Sequence, residues 1–134
     1  MIAAQQVLEA ARALVAAFAA NDTEAYFAAF SEDATFVFHG YGRVLPSRAA
    51  YRELWDQWQR DGFRVLACES SNPMVSLHDG LAIFIHDVAT RLQVDGRVVD
   101  SQERETIVFQ QQEQGRWLAC HEHLSAMPEQ LPPI

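Results

Sequence analysis

Toward the C-terminal end of the chain His121, His123 and Ser125 stand at every second position, behind the segment Gly115-Arg116-Trp117-Leu118-Ala119-Cys120. Strand side chains alternate between two faces, so a terminal strand is expected to put Trp117, His121, His123 and Ser125 on one face. An imidazole exchanges a proton near neutral pH and can ligate a metal, and a hydroxyl can donate to a developing negative charge. The same row also suits a half-buried strand whose polar groups are satisfied locally or at a subunit contact.

The elements that would carry this row come from the turn signals. After Gly62 long extended runs are separated by Asp79-Gly80, Asp95-Gly96 and Gln114-Gly115, which predicts an antiparallel meander of four long strands. Asn72-Pro73 interrupts the first run and predicts a bulge. Turn length then decides which side chains meet. If the second and third turns each end a three-residue loop with glycine in the left-handed position, residue 85 faces 105, 87 faces 103, 107 faces 121 and 105 faces 123. One face then holds Asp87, Glu103, Glu105, His121, His123 and Ser125 above an apolar floor of Ile83, Ile85, Ile107, Phe109 and Trp117. With two-residue turns His86 lies opposite Glu105, Glu122 opposite Ile107, and Arg91 opposite Asp100. The first register is preferred here because it gathers apolar residues at one end and ionisable ones at the other.

In that register Glu105 lies beside His123 and can fix its tautomer and raise its basicity. His121 or Asp87 would take a proton from a carbon next to a carbonyl, and Tyr41, His39 or Ser125 would donate to the oxygen. The competing account makes Glu105 and His123 a structural pair. His-x-His is also a metal-ligand spacing that Glu103 or His39 would have to complete, but no third ligand stands at a telling spacing, so neither a metal nor a cofactor is expected.

Upstream, Val7, Leu8, Ala11, Leu14, Val15 and Phe18 recur at helical spacing, and Asn21-Asp22 ends that helix. Asp22 caps a second, short helix that buries Tyr26, Phe27 and Phe30. Ala34 to His39 reads as a strand, ended by the flexible Gly40-Tyr41-Gly42 turn, whose His39 and Tyr41 are candidate ligand contacts. Pro46-Ser47 opens a third helix with an aromatic stripe of Tyr51, Leu54, Trp55 and Trp58, closed by Gly62. That stripe reads as core or, at Trp55 above all, as a stacking surface at a pocket mouth.

The 134 residues fit one domain, 1–134, of which about 127–134, with three prolines, forms a tail. Net charge is −8, and the ten basic side chains are all arginine. An acidic chain without lysine lacks a phosphate-tracking surface for nucleic acid, a Schiff-base amine and a Walker-type phosphate loop. Cys68 and Cys120 form no CxxC pair and read as small hydrophobes. The N-terminal stretch is broken by Gln5, Gln6, Glu9 and Arg12, unlike a leader, so a cytoplasmic location without membrane attachment is expected.

Helices first and a meander afterwards predict an α+β domain in which a curved sheet wraps around three helices and leaves a cavity at its open end. Both alternations of the sheet carry apolar residues, and a second subunit is the simplest cover for the outer one. This order of elements, the hairpin from Glu105-Thr106-Ile107-Val108 to Trp117 and the His121-x-His123-x-Ser125 ending resemble the nuclear transport factor 2-like superfamily. Within it the chain is most similar to SnoaL-like domains and to the association domain of calcium/calmodulin-dependent kinase II. The resemblance implies a bacterial, cone-shaped, cystatin-like α+β barrel with an interior pocket and sheet-to-sheet homodimers. Members include ketosteroid isomerase, dehydratases, cyclases and non-catalytic assembly domains. The kinase association domains have an arginine where this chain has Ile107, which removes any anion site attached to that position.

The function expected is therefore a small-molecule pocket, as in a cofactor-independent isomerase, dehydratase or cyclase acting on a small apolar carbonyl compound. Asp87, Glu105, His121 and His123 are its candidate catalytic residues, and His39, Tyr41, Trp55, Glu103 and Ser125 its candidate ligand contacts. The alternative is a non-catalytic dimerisation or assembly domain. A metal enzyme built on a double-stranded β-helix stands last, because it leaves three leading helices unexplained.

Overall fold

Asp22 and Ser47 each start a helix as their side chains require. Asp22 accepts from the Ala25 N–H at 3.2 Å and Ser47 from the Ala50 N–H at 3.1 Å, satisfying donors that the first helical turn leaves free. In the computed structural model, which describes residues 2–128, the chain runs α1 (Ile2–Ala19), α2 (Thr23–Ala28), β1 (Phe30–Phe38), α3 (Arg48–Arg60), β2 (Arg64–His78), β3 (Leu81–Val94), β4 (Arg97–Gln111) and β5 (Trp117–Ala126). Most of the expected proline-rich tail falls at 129–134, outside the described residues. The first strand begins at Phe30, earlier than its β-forming core suggested, because Phe30 and Ala34 both pack inward.

The five strands form one curved mixed sheet in the order β1-β5-β4-β3-β2. The meander β2 to β5 is antiparallel throughout, while β1 lies parallel beside β5. The helices cover the concave face. By length and composition α1 could reach across a bilayer. Here its Val7, Ala11, Leu14 and Ala17 stripe is buried in the same core as the sheet's inner residues. Asn21, at φ 55°, ends α1 and clamps the start of β2: its side chain donates to the Val65 carbonyl at 2.8 Å and accepts from the Val65 N–H at 2.9 Å. Tyr26, Phe27, Phe30, Phe36, Tyr51 and Trp55 make an edge-to-face aromatic core. Trp55 is 0% exposed and donates from Nε1 to the Thr23 hydroxyl at 3.0 Å, tying α3 to α2.

Two local features set the register and overturn the preferred reading. Asp95 and Gly96 both take positive φ, 50° and 75°, the conformation of a two-residue hairpin turn, so Val94 pairs with Arg97 and His86 with Glu105. Arg91 consequently meets Asp100 at 2.7 Å. At the last hairpin Gly115 is left-handed, φ 90°, and the Gln112 N–H donates to the Arg116 carbonyl at 2.7 Å, which closes the three-residue loop expected there. The pairing then slips once. Phe109 faces Ala119 but Val108 faces His121, leaving Cys120 as the extra residue of a bulge. Beyond it β5 is turned over, so that Glu122 is buried and His123 and Ser125 are exposed. The expected bulge at Asn72-Pro73 is present between Ser71 and Met74, with Asn72 at φ 51°.

Candidate functional site

Between α1, α3 and the concave sheet face lies a cavity of about 250 Å³. Its walls are apolar, among them Leu14, Phe18, Phe38, Trp58, Val88 and Leu92, and its rim carries His39, Gly40 and Tyr41. Into it project the phenols of Tyr26 and Tyr51 and the carboxyl groups of Glu103, Glu105 and Glu122. Apolar walls with a few converging polar groups are the usual form of a small-molecule site. The volume lies just below the roughly 300–1000 Å³ typical of such pockets, which favours a small occupant.

The interior acid group is built by three neighbouring strands. His86 on β3 is 0% exposed and donates from Nε2 to Glu105 Oε1 across the β3–β4 ladder at 2.6 Å. Its Nδ1 meets the Ser70 hydroxyl of β2 at 2.5 Å, so a neutral imidazole that accepts from Ser70 and donates to Glu105 satisfies both contacts. Glu122, from β5, is 2% exposed and lines the cavity beside Glu105. Burial above all, then the negative charge of Glu105, pushes the Glu122 carboxyl well above the usual carboxylate range. Two carboxylates side by side in an apolar cavity are costly, so the protonated form of Glu122 is favoured.

Tyr26 and Tyr51 hydroxyls meet at 2.9 Å beside this pair. Burial above all holds both phenols well above their ordinary range, so they remain donors. One hydroxyl donates to the other, which leaves one O–H free for a ligand. Nearer the mouth, Glu103 accepts from His39 Nε2 at 2.6 Å and from the Ser101 hydroxyl at 3.2 Å. Cys68 also lines the cavity, and burial raises its thiol to about 11, so it stays protonated.

Of the residues singled out in the sequence, the cavity collects Glu105, Glu103, His39 and Tyr41. The expectation that Asp87, His121, His123 and Ser125 join them is corrected by the register: the two-residue turn and the Cys120 bulge put all four on the other side of the sheet. Asp87 there binds Arg104 at 2.8 Å and Asn72 at 3.0 Å, and the Arg104 hydrogen bond holds its carboxyl below the usual range. His121 pairs with the Thr35 hydroxyl at 2.8 Å, and burial, then the charge of His123, lowers its pKa. The expected Glu105–His123 contact is replaced by Glu105–His86. Trp55 belongs to the core, and Tyr51 and Trp58 of the same stripe face the cavity.

Sequence reasoning missed His86, Glu122 and Tyr26 as cavity groups, and read Tyr51 as core or a stacking surface rather than as a phenol donor. For His86 the signal was present in the two-residue reading of Asp95-Gly96, whereas Glu122 is turned inward by the Cys120 bulge, which no turn residue announces. Among the described residues no group of three or more His, Cys, Asp or Glu side chains is placed to hold a metal ion.

Residues 7–129 match the family model described as a SnoaL-like domain. No curated protein matches the chain. Among solved structures it is similar to a calcium/calmodulin-dependent protein kinase II association domain-like protein from Xanthomonas campestris, at 23% identity and TM-score 0.77, over 94% of this chain and 89% of that one. It is also similar to a ketosteroid isomerase-like protein from Erwinia carotovora atroseptica, at 17% identity and TM-score 0.76, over 90% and 92%. A nuclear transport factor 2-like protein with a cystatin-like fold from Novosphingobium aromaticivorans matches at 17% identity and TM-score 0.73, over 94% and 82%. At these identities the structures speak for the fold alone. With the model match spanning nearly the whole sequence, the chain belongs to the SnoaL-like domain family, on a nuclear transport factor 2-like fold.

Proposed function

We propose that the chain binds a small, mostly apolar carbonyl compound in the cavity and moves a proton on it without a cofactor, as an isomerase, dehydratase or cyclase would. The observation that carries this reading is the Glu105–Glu122 carboxyl pair, anchored by His86 inside a cavity whose walls are mostly apolar. A protonated carboxylic acid and a phenol that stays protonated form a donor site for a carbonyl oxygen on which negative charge develops. Glu103, nearer the mouth and held by His39 and Ser101, is the carboxylate placed to take a proton from the adjacent carbon. Tyr41 and His39 at the rim would contact the ligand on entry.

The test begins with a thermal-shift screen of small cyclic ketones, enones and phenols, since a ligand bound only by the folded form raises the melting temperature. Any ketone that binds is then held with the protein in deuterium oxide, and exchange at the carbon beside its carbonyl is followed by NMR. Exchange should fall by about 10²-fold or more in Glu103→Gln and in Glu122→Gln. Exchange that persists in both variants would sink the acid/base reading.

A second reading, assembly through the sheet, is favoured by the outer face. Ile83, Ile85, Val108 and Leu118 lie half-exposed there and Met74 is 62% exposed, a surface that a second copy of the chain would cover. The two readings are compatible, because the cavity and this face lie on opposite sides of the sheet.

A further inference from the structure

We propose that Ser70, His86 and Glu105 form a proton path linking the Glu122 carboxyl group inside the cavity to the groove between α1 and β2. The inference rests on the acid role given to Glu122. Ser70 is exposed in that groove, which is lined by Leu8, Arg12 and Pro73 and separated from the cavity by Val15 and Cys68, which line both. From the Ser70 hydroxyl the hydrogen bonds run to His86 Nδ1 at 2.5 Å and from His86 Nε2 to Glu105 at 2.6 Å, and the Glu105 carboxyl group lies beside that of Glu122 in the cavity wall. Exposure falls to 0% at His86 and is 9% at Glu105 and 2% at Glu122, so the path starts at solvent and ends at a group that solvent does not reach.

A buried acid that has given up its proton leaves two adjacent carboxylates in a low-dielectric site, and that repulsion drives uptake of another. A ligand filling the cavity closes the direct route from the mouth. Along the path, water protonates Ser70 Oγ as its own hydroxyl proton passes to His86 Nδ1. The Nε2 proton passes to Glu105, and Glu105 passes a proton to Glu122. One proton enters and one arrives. The imidazole ends in its other tautomer, with the proton on Nδ1, and the path is restored when a proton leaves the cavity acids outward by the same route. Nucleophilic attack by Ser70 is disfavoured by the same geometry, because a fully buried His86 cannot hand the proton on to a leaving group outside.

The pair Ser70→Thr and Ser70→Val tests this in the full chain. The two side chains have nearly the same shape and differ in the hydroxyl, and both suit a strand. Exchange of the His86 Nε2 proton with water is measured by NMR on protein carrying ¹⁵N-labelled histidine, with His86→Gln to assign the signal. Exchange in Ser70→Val should be at least tenfold slower than in the wild type and in Ser70→Thr. A signal broadened away in Ser70→Thr but sharp in Ser70→Val is the same result. Equal exchange in the two variants, or no signal in either, overturns the path. The measurement reads the resting protein and uses no substrate. Failure of the acid/base reading would instead show as ketone exchange that survives Glu122→Gln while the order of the Ser70 variants stands.

Discussion

At the scale of single residues, Glu122 sets the behaviour of the site and leaves a signature in stability. Its folded pKa is raised by burial and by Glu105, so between the ordinary carboxylate pKa and the raised value the folded state holds a proton that the unfolded state has lost. Stability from this group is therefore full below about pH 4.3 and falls as pH rises toward the folded pKa, with a limiting slope of about 1.4 kcal/mol per pH unit. Urea unfolding across that range should show the decline in the wild type and a flatter profile in Glu122→Gln, which stays neutral at every pH. A decline of equal slope in the variant would place the titration elsewhere. The tyrosine pair makes a second test. Tyr51→Phe removes one partner of a buried 2.9 Å contact and should cost about 1–3 kcal/mol in urea unfolding, from the hydroxyl left without its partner on Tyr26. A change below half a kcal/mol would mean that Tyr26 finds another partner in the cavity.

At the scale of elements, the site exists because two irregularities fall in the right places. The Asp95-Gly96 turn needs left-handed backbone at both positions, so Gly96→Val should destabilise by about 1–2 kcal/mol, whereas Asp95→Asn should be near neutral because asparagine tolerates that conformation. The midpoints of urea unfolding would check both, and equal midpoints would show that the turn does not hold the register. The helices were legible in the sequence because their ends carry the chemistry that ends require: Asp22 and Ser47 at the starts, and Gly62, at φ 95°, after α3. The turns were legible as glycine signals. The faces were not, because Trp117-Leu118-Ala119-Cys120 and Ala82-Ile83-Phe84-Ile85 are apolar at every position and give alternation no phase. A bulge at Cys120 costs nothing visible in such a run, yet it exchanges His121 and His123 for Glu122 as the polar groups turned inward. Of the three cavity acids Glu103 and Glu105 were therefore recognised, Glu105 beside His123 instead of His86, and Glu122 was missed.

At the scale of the whole molecule, one sheet serves two surfaces, and the apolar runs that hid the register are the consequence. A strand with one wet face would alternate cleanly, but Ile83 and Ile85 point outward while Ala82 and Phe84 are buried under the helices. Met74 pairs with Ile85 across β2 and β3, and Ile83 with Val108 across β3 and β4, so the outer apolar residues are contiguous. A stable dimer needs roughly 800 Å² from each partner, an area this face can supply only if its centre is apolar. Ile85 stands at that centre. Sedimentation velocity at micromolar concentration should show a dimer for the wild type and a monomer for Ile85→Glu, since a carboxylate desolvated at the middle of the interface is unpaired in both copies. Because Ile85 faces away from the cavity, the variant should still show the melting-temperature rise produced by any ketone found in the screen. A wild type that sediments as a monomer would refute the sheet-mediated pairing. A dimer that survives Ile85→Glu would move the interface elsewhere. Loss of ligand binding together with the dimer would show that the cavity depends on the partner rather than on the curvature of its own sheet.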